Sequence, residues 1–200
     1  YGGTTFLVHA PVGGSMVASQ YGINGGWGGI RTTSAFVNKF DAVTTDTRGQ
    51  FYTNGQAKEI ADIGSFTDGY AIQKFKNIDV NGVQGSDKAG NFVDNDFPIF
   101  RYADVLLMKA EAILRGGTAT NGQTALSLVN EVRAKRTTSP AWTSVTLQTL
   151  YEERAREFTW ETWHRNDMIR FGKYEDKWGV KTDTDIRKRL FPIPTNALQV

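Results

Sequence analysis

The chain is predicted to be mainly α-helical: a helical hairpin, then a helix, a bend and a second helix, joined by long ordered loops with a few short strands. Three observations carry this. Apolar residues recur at helical spacing over Tyr102–Arg115 and again over Thr124–Arg136. Tyr151–Gly172 is the densest mixture of charge and large apolar groups in the chain, and it too reads with a helical period. Strand-like alternation is confined to short stretches.

From the start, Tyr1–Ile30 reads as loop, because nine of the 21 glycines fall within it. Tyr1, Phe6, His9, Tyr21 and Trp27 are interleaved with those glycines. Thr33 is placed to cap a short helix, Ser34–Phe40. Residues 41–49 read as a turn in which Asp46 and Arg48 make a local ion pair or turn contact. Gln50–Thr53 and Gly69–Phe75 are the strand candidates, and Asn77–Asn95 reads as a polar, mobile linker. Within Tyr102–Arg115, Ala103, Leu106, Leu107 and Ala110 share one face, and Glu111 and Arg115 stand at the favourable spacing of four. Gly116-Gly117 stops that helix. Ala125, Leu128, Val129 and Val132 form the inner face of the next, so the two make an antiparallel hairpin. Trp142 reads as a lid on the core and Thr146 as the cap of the following helix. Lys173–Lys188 reads as surface loop, and Leu190–Pro194 as extended between its prolines.

Charge is nearly balanced, 23 basic against 21 acidic residues, which gives no argument for nucleic acid or for electrostatic membrane attachment. With no cysteine there is no disulfide framework and no thiolate metal site. No apolar run approaches the roughly 20 residues needed to span a bilayer. Phosphate-loop, dinucleotide, zinc-helix and nucleophile-elbow motifs are absent. Asp94-Asn95-Asp96 offers oxygen ligands of the kind calcium takes, but such triplets are ordinary turn residues, and no metal site is expected.

In the charged stretch, Leu150, Tyr151, Arg154, Glu157, Phe158 and Glu161 fall on one helix side. Burying the rings drags the charges inward, where they must pair. Arg154, Glu157, Glu161, Arg165, Asp167 and Arg170 are therefore read as a structural ion-pair knot, with Arg154 spaced to pair along its own helix. His164 is read as a satisfied structural histidine within it. The rival reading is a glycosidase using two of the acids. Arginines that match the acids one for one hold carboxylates ionised instead, so no catalytic residues are assigned.

The pattern Glu153-Arg154-x-x-Glu157-Phe158-x-x-Glu161-x-x-x-Arg165-x-Asp167-Met168-x-Arg170-x-Gly172 resembles the signature of the SusD/RagB family of outer-membrane nutrient-binding lipoproteins of Bacteroidetes. FPIFRYADVLLMKAEAI (Phe97–Ile113) and LFPIPTNAL (Leu190–Leu198) resemble two further family segments, in the family's order. Thr33–Tyr52 and GYAIQKFKN, beginning at Gly69, match more loosely. The resemblance implies a SusD-like, α-α superhelix type of fold and an organisation of one compact unit. Residues 1–95 would be a loop-rich, ligand-facing segment and residues 96–200 the helical core. It implies a chain that opens on Tyr1-Gly2-Gly3 as the C-terminal part of a longer protein, whose lipid anchor lies outside it.

The implied function is non-catalytic capture of an oligosaccharide at the cell surface and its delivery to a SusC-like TonB-dependent transporter, without a cofactor. Trp27, Tyr21, Asn24 and Arg31 supply the rings, amide and charge that a sugar requires. The alternatives are a module that docks on the transporter without its own ligand, and a peptide binder of the RagB kind.

Overall fold

A computed structural model of the chain describes residues 2–40 and 45–198. Tyr1 and the first part of the turn expected over 41–49 lie outside the described residues. Helices dominate: α1 (Phe6–His9), α2 (Ser34–Val37), α3 (Tyr102–Leu114), α4 (Ala125–Arg133), α5 (Leu147–Glu157) and α6 (His164–Arg170). Among the described residues the sheet is a single antiparallel pair, β1 (Phe51–Tyr52) and β2 (Ala71–Ile72), with Phe51 opposite Ile72 and Tyr52 opposite Ala71. Each strand is shorter than its alternating stretch, and the chain continues instead through an isolated bridge between Thr32 and Tyr70.

α3 and α4 form the hairpin. Thr124 begins α4 with a reciprocal cap: its hydroxyl accepts from the Ser127 N–H at 3.1 Å, and Ser127 Oγ accepts from the Thr124 N–H at 2.9 Å. Thr146 and Thr149 repeat the device at the start of α5. Thr33 begins α2 differently. Its hydroxyl makes no cap, and its backbone carbonyl takes the N–H groups of Phe36 and Val37.

Two hydrophobic clusters result. One joins Leu106, Leu107 and Ala110 of α3 to Leu128 and Val129 of α4 and to Leu150 and Phe158, with Trp142 packed against its edge. The other gathers Leu7, Val8, Val12, Tyr21, Ala71 and Val93 under the loops. The turn from α5 to α6 bridges them. Trp160 and Thr162 take left-handed φ angles of 62° and 63° there, which few non-glycine residues adopt. The Trp160 indole Nε1 donates to the Leu7 carbonyl at 2.9 Å, and its ring stands edge-on to Phe6.

The glycine-dense start is more ordered than a loop reading allows, since it contains α1 and a 3₁₀ turn at Ala18–Tyr21. Its glycines serve close approach of backbone to backbone. A Cβ on Gly26 would lie 2.0 Å from the Val12 carbonyl oxygen, and one on Gly22 would lie 2.2 Å from that of Asn77. Residues 77–95 are a chain of side-chain-closed turns rather than an open linker. Asp79 accepts from the N–H groups of Asn81 and Val83, Asp87 accepts from those of Ala89, Asn91 and Phe92, and buried Asn77 accepts from that of Asp94.

Candidate functional site

The charged stretch forms two networks, divided by the pitch of α5. Arg154 faces α3 and α6, where its guanidinium reaches Asp104 at 2.9 Å and Asp167 at 3.0 Å. Asp167 also takes Arg170 at 2.6 Å, and Arg170 passes on to Glu111, which Arg115 shares from its own helix. Glu153, Glu157 and Glu161 face the other way. Glu157 accepts from Arg48, Arg101 and Arg136, all at about 3 Å. Glu153 is held by Arg48, Arg133 and Arg156, and Glu161 by Lys74 and Arg101.

Arg154 therefore does not pair with Glu157 or Glu161 along the helix. The partners come from other elements, because a buried guanidinium can bond two carboxylates in tertiary contact. Arg165 stands outside both networks. Its Nη2 donates to the carbonyls of Lys188 and Arg189 at 3.0 and 2.8 Å, and its plane lies over the rings of Phe191 and Tyr174. Arg48, Arg101, Arg136 and Lys74 are members that sequence reasoning missed, since each lies far along the chain from its acid, and Asp104, Arg133, Glu153 and Arg156 also lay outside the expected knot. Arg48 carried a partial signal. Its contact to Asp46 is present, with its N–H donating to Asp46 Oδ1 at 3.0 Å.

Electrostatics decides what these acids can do. Burial opposes ionisation of Glu157, yet the arginines around it outweigh burial and bring its pKa to about 2. A carboxylate so held cannot deliver a proton near neutral pH. His164 is packed rather than bonded. Burial, with Lys39 nearby, lowers its pKa, its Nδ1 is buried without a partner among the described residues, and its ring stacks on Tyr151 at 5.6 Å. It is a packed ring, not a satisfied one. Among the described residues no group of acids or histidines could hold a metal ion, and Asp94 is engaged by the Ser86 N–H and hydroxyl.

The four residues expected at a ligand have different surroundings. Tyr21 is 3% exposed in the second cluster, and its hydroxyl donates to Gln73. Asn24 lies on the surface with its amide donating to Asn91. Arg31 donates to the carbonyls of Asp68 and Ile63. Its side chain helps wall a cavity of about 610 Å³ that also shows Phe36, Tyr151, Trp160 and Trp178. Trp27 is 59% exposed. One side of its ring lies near His9, 5.6 Å between centroids, and its backbone N–H donates to the His9 carbonyl at 2.8 Å. Burial lowers the pKa of His9, which favours the neutral form of the ring beneath the tryptophan. Gly28 and Gly29 continue the strap with N–H donors to Val12 and Ala10. The outcome is a flat ring presented to solvent on a fastened loop.

Among described residues, no helix is long and apolar enough to cross a membrane. The family model of the SusD family matches residues 20–185. The chain is also 35% identical over 143 residues to the starch-binding protein SusD of Bacteroides thetaiotaomicron, an alignment covering 67% of this chain and 25% of that protein. The chain thus spans about a quarter of that relative's length. Matched over most of its residues, with its conspicuous acids committed to arginines, the chain belongs to the SusD family.

Proposed function

We propose that this chain takes part in non-catalytic capture of an oligosaccharide at the outer membrane, and that the protein passes its cargo to a SusC-like TonB-dependent transporter. SusD-family proteins bind rather than catalyse, and the relative with starch-binding in its name supports a glycan over a peptide. The observation that carries the reading is Trp27, whose ring is held from behind by His9 and open in front. A sugar offers an apolar C–H face to such a ring, while its hydroxyls need amide and charged partners. Asn24 stands three residues before Trp27 and Arg31 four after it, a reach of at most about 14 Å. One extended ligand can therefore meet Trp27 and the aromatic cavity that Arg31 walls. Residues 1–95 would be the cargo-facing part and residues 96–200 the helical core that supports it.

The test is a glycan and peptide binding screen with the intact, lipid-anchored protein, together with identification of the membrane protein that co-purifies with it. Oligosaccharide binding and a TonB-dependent barrel in the eluate are the expected results. A barrel without any ligand would leave a docking module, and a peptide hit without glycan binding would move the cargo class.

A further inference from the structure

Away from Trp27, Arg48, Lys74, Lys76, Arg101, Arg136 and Arg156 converge on a cavity of about 300 Å³, and Glu157 is the one carboxylate among its described lining residues. Four carboxylates among the described residues, Asp46, Glu153, Glu157 and Glu161, pair with five of these six cations, all but Lys76. Among the described residues two positive charges are left over, and Arg133 draws further on Glu153. Glu157 has no capacity to absorb the excess, because four N–H donors from three arginines already occupy its two oxygens.

Unused donors remain on the cavity wall. Lys76 has no carboxylate partner among the described residues, and its ammonium rests over the Tyr21 ring at 5.1 Å. Gln73 accepts from the Tyr21 hydroxyl through Oε1, which fixes the side chain and leaves its amide N–H groups to donate. Gathering like charges in a partly desolvated space is unfavourable unless an opposite charge joins them. An ion with several oxygens, received by guanidinium, ammonium and amide donors, is the chemistry that fits.

We propose that this cavity is an oxyanion site, which takes a sulfate, phosphate or carboxylate group. That group has two sources: a free inorganic anion, or an acidic substituent carried by a glycan. The inference stands apart from the Trp27 platform and does not require it.

The experiment is calorimetric titration of the intact protein with sodium sulfate, with sodium chloride at matched ionic strength as the control. An oligogalacturonate and a neutral oligosaccharide of equal length are titrated in parallel. Saturable binding of sulfate or oligogalacturonate is expected, weakened roughly tenfold by Lys76→Ala, the scale of one hydrogen bond to a charged group. Gln73→Ala should weaken it in the same direction, and Trp27→Ala should leave sulfate binding unchanged. Tighter binding of oligogalacturonate than of sulfate places the acid group on a glycan. Binding of sulfate alone makes a free anion the occupant, and either result upholds the site. Absence of saturable binding by both anions overturns it. So does binding that Lys76→Ala and Gln73→Ala leave untouched, or sulfate binding abolished by Trp27→Ala.

Discussion

Arg154 Nη1 donates to Asp104 Oδ1 at 2.9 Å, and both side chains are 1% exposed. Through its Nε bond to Asp167, the same guanidinium ties α5 to α3 and α6 at once. Truncating it strands the buried Asp104 and leaves Asp167 with Arg170 alone. Arg154→Met is expected to destabilise the protein by about 3–5 kcal/mol, the usual result of breaking a buried pair from one side. Arg154→Lys should recover little, because one compact ammonium cannot reproduce the guanidinium fork. Denaturant unfolding measures both. A loss below about 1 kcal/mol for the Met variant would return this contact to the class of exposed ion pairs.

Glu157 sets an acid limit on stability. Its folded pKa is about 2 against an ordinary 4.5. The unfolded chain therefore takes up the proton at higher pH than the folded one. The stability this group contributes is fully present above about pH 4.5 and is lost as pH falls toward 2. At about 1.4 kcal/mol per pKa unit, the contribution is on the order of 3 kcal/mol. Glu157→Gln should lower stability near neutral pH and flatten the acid limb of the curve. Urea midpoints near pH 3 and near pH 7 test this, and an equal acid loss in both proteins would show that other carboxylates carry the effect.

What the sequence disclosed, and what it withheld, follows from how far apart the interacting groups lie. α3, α4 and α5 were legible because their apolar spacing, the Thr146 cap and the Gly116-Gly117 stop are local signals. The pairing of Glu111 with Arg115 was legible for the same reason, and it is present at 2.8 Å. The partners of Glu157 were not, because Arg48 and Arg101 reach it only through tertiary folding. Tyr21 and Trp27 looked alike as aromatics among glycines. Only the structure separates one buried against Gln73 from one open over His9. α1 was hidden because glycine density masks a single helical turn.

Trp27→Ala is expected to weaken oligosaccharide affinity roughly tenfold, the value of one lost aromatic contact. Because the ring is mostly exposed, thermal stability should move little, by less than about 0.5 kcal/mol. Calorimetry and thermal unfolding on the same preparation give both numbers. A large stability loss with unchanged affinity would make Trp27 a structural ring.

Gly26 is expected to tolerate no side chain. A Cβ there meets the Val12 carbonyl oxygen at 2.0 Å, whereas one on neighbouring Gly25 meets nothing within 4 Å. Gly26→Ala should cost about 2–3 kcal/mol by overpacking, and it should disturb the adjoining Trp27 platform. Gly25→Ala serves as the near-neutral control. Equal unfolding midpoints for the two variants would mean that the loop relaxes without resistance.

Thr162 offers the opposite sign. It holds φ 63° in the turn between α5 and α6, and a β-branched residue is strained in that region. Relief of a left-handed conformation is worth about 1–2 kcal/mol, against about 0.5–1 kcal/mol for the added freedom of an unfolded glycine. Thr162→Gly should therefore stabilise by up to about 1.5 kcal/mol. Trp160 has nearly the same φ, yet its indole is bonded to the Leu7 carbonyl and packed on Phe6. Trp160→Gly loses that attachment between the two clusters, so it should destabilise despite relieving the same strain. Thermal unfolding of the two variants decides the matter. Stabilisation by both would mean that the Trp160 contacts contribute less than the backbone angle costs.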